Sequence, residues 1–259
     1  MKTTISNDVL SAAVAAVRSQ RPLVHNITNY VVMNNSANAL LAIGASPVMA
    51  HWTQEMEEMV SIAGALVLNI GTLDENWLES MKVAGVAASR RGIPIVLDPV
   101  GAGATRARTA ASLELIELCH PTVIRGNASE IMALVDAGVK SKGVDSSAQS
   151  SDAVEAARKL AEETGAVVVI SGATDYITDG SVVHTVDGGD EIMTAVTGMG
   201  CTATALTGAF AAVCKDPMTA AVAAMAVMSA AGEKAAAQAS GNGSMQMHFL
   251  DELYNLTEL

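Results

Sequence analysis

The sequence predicts a three-layer α/β/α fold, in which a mostly parallel sheet is covered by helices on both faces. Short, almost wholly apolar runs alternate along the chain with longer segments of helical period, which is typical of this class. Runs that are apolar at every position indicate strands buried on both faces. No internal repeat or linker interrupts the alternation, so we expect one domain over residues 1–259.

Five apolar runs are the predicted parallel strands. They cover residues 22–27, 65–70, 93–97, 122–124 and 166–170, and residues 46–49 are predicted to be an extended segment. Residues 175–185 interrupt the alternation, because two β-rich segments flank the dipeptide Asp179-Gly180. This pattern predicts a β-hairpin with a type I′ turn.

The segments between these runs predict helices. They cover residues 7–19, a segment from Thr28-Asn29 to Gly44, and residues 54–63, 74–90, 105–119, 129–135, 151–164, 201–213, 217–239 and 246–256. In the second helix we expect Val31, Val32, Ala39, Leu40 and Leu41 to form the buried stripe. Residues 141–151 are predicted to form a polar loop.

Composition excludes several classes of function. The formal net charge is −12 and no basic run is present, so we expect neither a nucleic-acid nor an anionic-membrane partner. We expect no signal peptide and no membrane-spanning segment, because no apolar stretch has the required length and composition. The three cysteines lack metal-binding spacing, which favours a reduced, cytoplasmic protein.

A glycine-rich turn precedes an alanine-rich helical segment at residues 195–206. Gly198 and Gly200 permit a tight turn whose free N–H groups, together with the helix dipole, would bind an anion such as phosphate. The alternative is an ordinary turn between a strand and a buried helix. Cys201 lies in the first helical turn, where we expect a lowered thiol pKa. Its alternative is a buried, inert thiol.

Polar residues follow several of the predicted strands. Because carboxyl ends of parallel strands meet at one edge of a sheet, a ligand site is expected there. The residues at this edge are Thr28, Asn69, Asp98, Arg125 and Ser171.

Two acidic residues in or near this edge have two interpretations each. Glu130 either binds Mg²⁺, with Arg125 on a phosphate, or forms a capping box with Asn127. Asp98 is either a second acid facing the cation or a turn-forming residue.

Residues 25–29 and Met49 form a further candidate site. His25 and Asn29 are interpreted either as one polar wall of a small-molecule pocket, with Met49 as its apolar face, or as helix-capping and core groups. Two other glycine patterns are rejected. Residues 101–103 lack the third glycine of a dinucleotide-binding motif, and residues 138–143 lack the Lys-Ser/Thr pair of a P-loop.

Taken together and in this order, these segments resemble the hydroxyethylthiazole kinase family, thiamine-salvage enzymes with a ribokinase-like fold. The resemblance rests on residues 23–29, 40–49, 97–100, 124–131, 175–180, 198–201, 243–244 and 249–253. It implies Mg²⁺-dependent transfer of the γ-phosphoryl group of ATP to the primary alcohol of 4-methyl-5-(2-hydroxyethyl)thiazole. It also implies a homotrimer with active sites between subunits, in which the wall at residues 25–49 serves a neighbour's site.

The resemblance assigns roles to individual residues. It implies that Arg125 and Ser171 contact ATP, that Met49 and Gly198 contact the thiazole, and that Glu130 with Asp98 surrounds Mg²⁺.

The remaining expected roles come from the positions of the residues in this sequence. Asn127 is expected to contact ATP, and Asn29 and His25 to contact the substrate. Gly198, Gly200, Cys201 and Arg125 are expected to act in catalysis.

Departures and alternatives accompany this assignment. Met199 replaces the family's usual Thr, and Asn242 and Met245 replace common Pro and Phe. Cys201 stands where related sugar kinases have an Asp base. Phosphoryl transfer needs little early deprotonation of the acceptor alcohol, so we expect Cys201 to assist only weakly. Most of the catalysis is expected from the backbone amides of residues 198–201, Arg125 and Mg²⁺. The alternatives are a kinase for another small alcohol, such as hydroxymethylpyrimidine, or a non-catalytic thiazole or nucleotide sensor.

Overall fold

A computed structural model describes residues 2–3, 5–138 and 150–259. Nine strands form one sheet within these ranges. They are β1 (Lys2–Thr3), β2 (Leu23–Ile27), β3 (Ser46–Val48), β4 (Ala65–Asn69), β5 (Ile95–Asp98), β6 (Val123–Asn127), β7 (Val167–Ser171), β8 (Thr174–Thr178) and β9 (Val183–Asp187). The expected polar loop at 141–151 and the rejected glycine pattern at 138–143 lie largely outside the described residues.

Helices connect most of these strands. They are α1 (Asn7–Gln20), α2 (Met33–Ile43), α3 (Met56–Ile62), α4 (Glu75–Arg91), α5 (Arg106–Cys119), α6 (Ala128–Gly138), α7 (Ser150–Thr164), α8 (Met199–Ala211), α9 (Pro217–Ala236) and α10 (Asn242–Asn255), with short 3₁₀ turns at Thr53–Glu55 and Glu191–Ala195. None of the helices in the part of the chain that the structure describes has the length and apolar character to cross a bilayer.

The sheet is mostly parallel, as predicted. Its strand order is β1-β9-β8-β7-β6-β5-β4-β2-β3, and every pair from β7 to β3 is parallel. The hairpin β8–β9 and the short β1 continue it with antiparallel pairs at one end. Parallel neighbours need crossover helices, which explains the alternation along the chain.

Two apolar cores confirm the three layers. Successive strand residues point to opposite faces, so that Val67 packs with α1, α2 and α8–α10, whereas Leu66 and Leu68 pack with α3–α7. Both faces are therefore buried, which is why the strands are apolar at nearly every position.

The second helix differs from its prediction. It begins at Met33, because the Asn29 side chain accepts a hydrogen bond from the N–H of Val31 (3.1 Å) and shapes a turn before it. Val31 is 60% and Leu41 58% exposed, so including them in the buried stripe was wrong. Val32, Ala39 and Leu40 are buried as expected.

The predicted hairpin forms, but its type I′ turn does not. Thr178 pairs with Val183, which leaves a four-residue loop at 179–182. A type I′ turn needs a positive φ at both central residues, and of Asp179 and Gly180 only the glycine has one (96°). The Asp179 carboxylate instead accepts hydrogen bonds from the N–H groups of Ser181 and Val182.

The carboxyl ends of the parallel strands meet at one edge, as expected. Register pairs Asn69 on β4 with Asp98 on β5, and Asn127 on β6 with Ser171 on β7. In the sheet β2 lies between β3 and β4, so the strand that follows β2 in the chain lies on one side of it and the next strand lies on the other. Such a reversal of strand order opens a crevice beyond the carboxyl ends of the strands. The mouth of α8 lies at this edge, since Thr204 of α8 donates to Asp98.

Candidate active site

The mouth of α8 is built around Gly198. This residue precedes the helix with φ 84°, and a Cβ atom there would lie 2.6 Å from Cγ1 of Val32. Both the backbone angle and the close approach therefore require glycine. The first intrahelical bond runs from the N–H of Thr202 to the carbonyl of Gly198 (2.8 Å). The N–H groups of residues 199–201 consequently have no acceptor within the helix, which is the anion-binding geometry predicted for this turn.

A cavity of about 910 Å³ opens beside this mouth. Its volume lies within the roughly 300–1,000 Å³ of small-molecule sites. Four of the predicted site residues line it, namely Arg125, Ser171, Gly198 and Gly200. The lining also includes Met193, Met225 and Met228, which were not predicted as site residues. We call the part of the lining around Arg125 and Ser171 the polar end and the part with these three methionines the methionine-rich end.

Arg125 places its guanidinium group at the polar end. The group is buried, donates a hydrogen bond to Oγ of Ser171, and has Nη1 3.8 Å from Oδ2 of Asp98. Its Nε has no hydrogen-bond partner. A Cβ atom at Gly200 would lie 2.8 Å from Nη1, so the missing side chain gives the guanidinium access to the mouth of α8.

Asp98 is a buried carboxylate at the end of β5. Its Oδ2 accepts hydrogen bonds from Nδ2 of Asn69 (2.9 Å) and Oγ1 of Thr204 (2.7 Å). Burial raises the pKa of Asp98 to about 6, the Arg125 charge opposes this rise, and the Glu130 charge adds to it. The carboxylates of Asp98 and Glu130 therefore repel each other electrostatically.

The capping box predicted at the start of α6 is present. Oδ1 of Asn127 accepts from the N–H of Glu130 (2.9 Å), and Oε2 of Glu130 accepts from the N–H of Asn127 (2.8 Å). Oε1 of Glu130 also accepts from the N–H of Gly101 (2.8 Å). These bonds hold the Glu130 carboxylate in place, while each oxygen keeps a second lone pair for another ligand. Asn127 is not one of the described residues that line the cavity.

The expected lowering of the Cys201 pKa was wrong. Burial, first, and the Asp98 charge raise the pKa of this thiol, while hydrogen bonds from Asn69 and Asn29 and the Arg125 charge oppose the rise. The partial charge of a helix end is small, and here the loss of solvent outweighs it. Nδ2 of Asn29 lies 3.5 Å from the sulfur.

The described residues that line the cavity do not include the predicted site residues His25, Asn29 and Met49. His25 is fully buried, and its Nε2 is 2.9 Å from the carbonyl oxygen of Ala50. Burial lowers the pKa of His25, so its ring is neutral at physiological pH. Its side chain contacts the loop that follows Met49, which agrees with the alternative of a core histidine. Met49 packs partly buried against one of the cores.

Comparison with known proteins identifies the relationship. The model of the hydroxyethylthiazole kinase family matches residues 14–259. The chain belongs to the hydroxyethylthiazole kinase family.

Named relatives and solved structures agree with this membership. The chain is 58% identical over 244 residues to the hydroxyethylthiazole kinase of Oleidesulfovibrio alaskensis, covering 94% of this chain and 92% of that protein. It is 57% identical over 248 residues to that of Syntrophus aciditrophicus, covering 95% and 92%. A solved structure of the hydroxyethylthiazole kinase protein from Pyrococcus horikoshii OT3 has a TM-score of 0.89 at 45% identity, covering 96% and 94%.

More distant structures share the fold alone. A ribokinase-like superfamily protein from Enterococcus faecalis has a TM-score of 0.65 at 14% identity, covering 97% of this chain and 95% of that chain. The expected ribokinase-like, three-layer fold is therefore confirmed.

Two residues of this hydroxyethylthiazole kinase family member had no predicted role. Asn69 was placed at the strand-end edge without a function, although an amide ending an apolar strand is a usable signal. Asp175 lies buried in the cavity wall and accepts a hydrogen bond from the N–H of Gly172 (3.0 Å). Burial raises the pKa of Asp175 to about 6, with the Gly172 bond and the Arg125 charge opposing.

We expect Asp175→Asn to raise the free energy of unfolding at about pH 7.5 by roughly 2–3 kcal/mol. The folded pKa of about 6 lies above the unfolded value of 3.8, so folding disfavours the charged form. This penalty is complete above pH 6 and disappears as the pH falls toward the unfolded pKa. Urea unfolding at several pH values should show the two proteins converging below about pH 4. A less stable variant at neutral pH would mean that Arg125 outweighs burial.

Proposed function

We propose that this chain transfers the γ-phosphoryl group of ATP to the primary alcohol of 4-methyl-5-(2-hydroxyethyl)thiazole, in thiamine biosynthesis and salvage. The observation that supports this most directly is the meeting of free N–H groups at residues 199–201 with the Arg125 guanidinium at one cavity end. Backbone donors and an arginine are the groups that stabilise a migrating phosphoryl group. The names of the relatives supply the acceptor alcohol.

In this proposal ATP occupies the 910 Å³ cavity. Its terminal phosphates lie at the polar end, where Arg125 and the mouth of α8 share their negative charge. Ser171 holds the guanidinium in place and adds a hydroxyl group. The methionine-rich end offers the polarizable surface that suits a nucleobase. Asn127, whose side chain is engaged in the capping box, acts by fixing Glu130.

Glu130 and Asp98 fit a Mg²⁺ ion bound mainly through water and phosphate. No cluster of three or more potential metal ligands occurs among the described residues, and Mg²⁺ commonly takes only one or two carboxylates from a protein. The mutual charge of Asp98 and Glu130 is the kind of repulsion that a divalent cation relieves. Mg²⁺ would supply charge neutralisation at the phosphates. Asp98 is nearly inaccessible to solvent, so it acts chiefly through its charge.

The acceptor alcohol binds beside Gly198 in this proposal, with Cys201 near its hydroxyl group. Because burial raises the Cys201 pKa, few molecules carry a thiolate at neutral pH, which agrees with a weak assisting role. Asn29 lies beside Cys201 of its own chain. Met49 belongs to the wall at residues 25–49, whose outer face we propose serves a neighbouring subunit of a homotrimer. Exposed Tyr30, Val31 and Trp52 lie on or near this wall, and contact with another subunit would cover them. The unpaired cysteines suit a cytoplasmic setting.

The test is release of ADP from ATP with candidate alcohols, with and without Mg²⁺. We expect release only with Mg²⁺ and most efficiently with the thiazole alcohol. More efficient turnover of hydroxymethylpyrimidine would favour the kinase for another alcohol. Thiazole binding without turnover would favour a sensor.

Sedimentation of the purified chain tests the proposed homotrimer, and a monomer at assay concentration would reject it.

A further inference from the structure

A row of side chains leads from Asp98 to Cys201 beneath the mouth of α8. Nδ2 of Asn69 donates to Oδ2 of Asp98 (2.9 Å), and Nδ2 of Asn29 donates to Oδ1 of Asn69 (2.8 Å). The same Nδ2 of Asn29 lies 3.5 Å from Sγ of Cys201. Asn29 is 4% exposed, and Asn69 and Asp98 are 1% exposed, so water cannot replace these partners.

The orientation of both amides is determined by groups that can only donate or only accept. The N–H of Val31 donates to Oδ1 of Asn29 (3.1 Å), and the N–H of Gly71 donates to Oδ1 of Asn69 (3.0 Å). A backbone N–H cannot accept a hydrogen bond, so each Oδ1 is identified without ambiguity. The carboxylate at the other end can only accept. The row therefore has one polarity, and it ends with an N–H group directed at the sulfur.

Gly71 provides the space that this arrangement needs. A Cβ atom at Gly71 would lie 2.5 Å from Nδ2, 2.7 Å from Cγ and 2.8 Å from Cβ of Asn29. Gly71 is not among the glycines with a positive φ, so a left-handed backbone is not the reason for a glycine there. An alanine would thus force Asn29 or the adjoining turn to move without straining the backbone angle itself.

We propose that Asn69 and Gly71 are positioning residues for the reaction, which hold the Asn29 amide against the sulfur of Cys201. The inference rests on the proposed function. When the alcohol oxygen bonds to the γ-phosphorus and the bond to the ADP oxygen breaks, the hydroxyl proton must leave. The Cys201 sulfur can accept this proton only as a thiolate, and an amide N–H stabilises that form. It acts with a hydrogen bond from Asn69 and the Arg125 charge, and against burial and the Asp98 charge.

The first experiment is a double-mutant cycle of Gly71→Ala and Asn29→Gly. We expect Gly71→Ala alone to lower kcat about tenfold, with the KM for ATP nearly unchanged. In the Asn29→Gly background the same change should have no further effect, because both the amide and the Cβ atom that the new methyl group would displace are already absent. Gly243→Ala is the matched control, since a Cβ atom there has no neighbour within 4 Å. Equal losses in both backgrounds would overturn the inference.

The second experiment does not depend on activity. Alkylation of Cys201 by iodoacetamide, located by peptide mass mapping without nucleotide or Mg²⁺, gives the pH midpoint of its thiolate. Asn69→Ala and Gly71→Ala should each move this midpoint up by about one pH unit, whereas Gly243→Ala should not. Thermal unfolding shows whether either variant is misfolded. If one of Asn69→Ala and Gly71→Ala is misfolded, the midpoint measured for the other tests the inference. Unchanged midpoints would overturn the inference even in an active kinase, whereas an inactive wild-type chain would reject only the proposed function.

Discussion

Arg125→Ala is expected to lower kcat/KM for phosphorylation of the thiazole alcohol by about a thousandfold. The guanidinium is the buried cation that lines the polar end of the cavity, with Asp98 3.8 Å away. Its removal takes away the charge that faces the phosphates and leaves a buried carboxylate without its cation. Steady-state kinetics with varied ATP measure the loss, and thermal unfolding shows whether the variant is folded.

Two comparisons make this prediction specific. Arg125→Lys keeps the charge but loses the planar group that meets Ser171, so its loss should be intermediate. Cys201→Ala should cost less in kcat than Arg125→Ala costs in kcat/KM, because positioning and charge neutralisation dominate phosphoryl transfer. The reverse order would mean that proton removal by Cys201 is the larger contribution.

Asp98→Asn is expected to lower kcat about a hundredfold and to raise the Mg²⁺ concentration needed for half-maximal activity. The substitution is nearly isosteric, but it removes the negative charge that acts with Glu130. The amide oxygen of the new asparagine can still accept the hydrogen bonds from Asn69 and Thr204, so the loss reports the missing charge. Activity measured across Mg²⁺ concentrations tests both effects.

Asp175→Asn is the matched control for this loss. Asp175 is also a buried aspartate whose pKa is raised to about 6 and which feels the Arg125 charge. It has no Glu130 contribution, so its replacement should leave the Mg²⁺ dependence close to that of the wild-type chain. Equal effects of the two substitutions would indicate that Asp98 acts through Arg125 and not through the metal.

The layers of the fold and the edge that holds the candidate site could be predicted from sequence. Apolar runs such as 65–70 and 166–170 reflect burial on both faces of a strand, and this pattern is local. The strand-end rule then placed Asn69, Asp98 and Ser171 at one edge of the sheet, where the structure has them. Arg125 was also placed beyond a strand end, but it lies within β6, opposite Val169.

Other features depended on neighbours that local patterns do not contain. The start of α2 is determined by the Asn29 side chain, and the exposure of Leu41 by which helix face meets the sheet. The Cys201 pKa was predicted from the helix end alone, whereas burial determines its direction. The methionine-rich wall of the cavity is made by α9 and the 3₁₀ turn at Glu191–Ala195, which no motif connects to Arg125.

The sequence by itself determined the order of strands and helices and the residue types at the strand ends, because hydrophobic periodicity acts within a few residues. Only the tertiary structure decided how those residues meet. Asn29 and Cys201 are 172 positions apart, and Asn69 lies 29 positions from Asp98. Their hydrogen bonds exist because β2, β4 and β5 are neighbours in the sheet and α8 packs against all three. Strand order is a property of the whole chain.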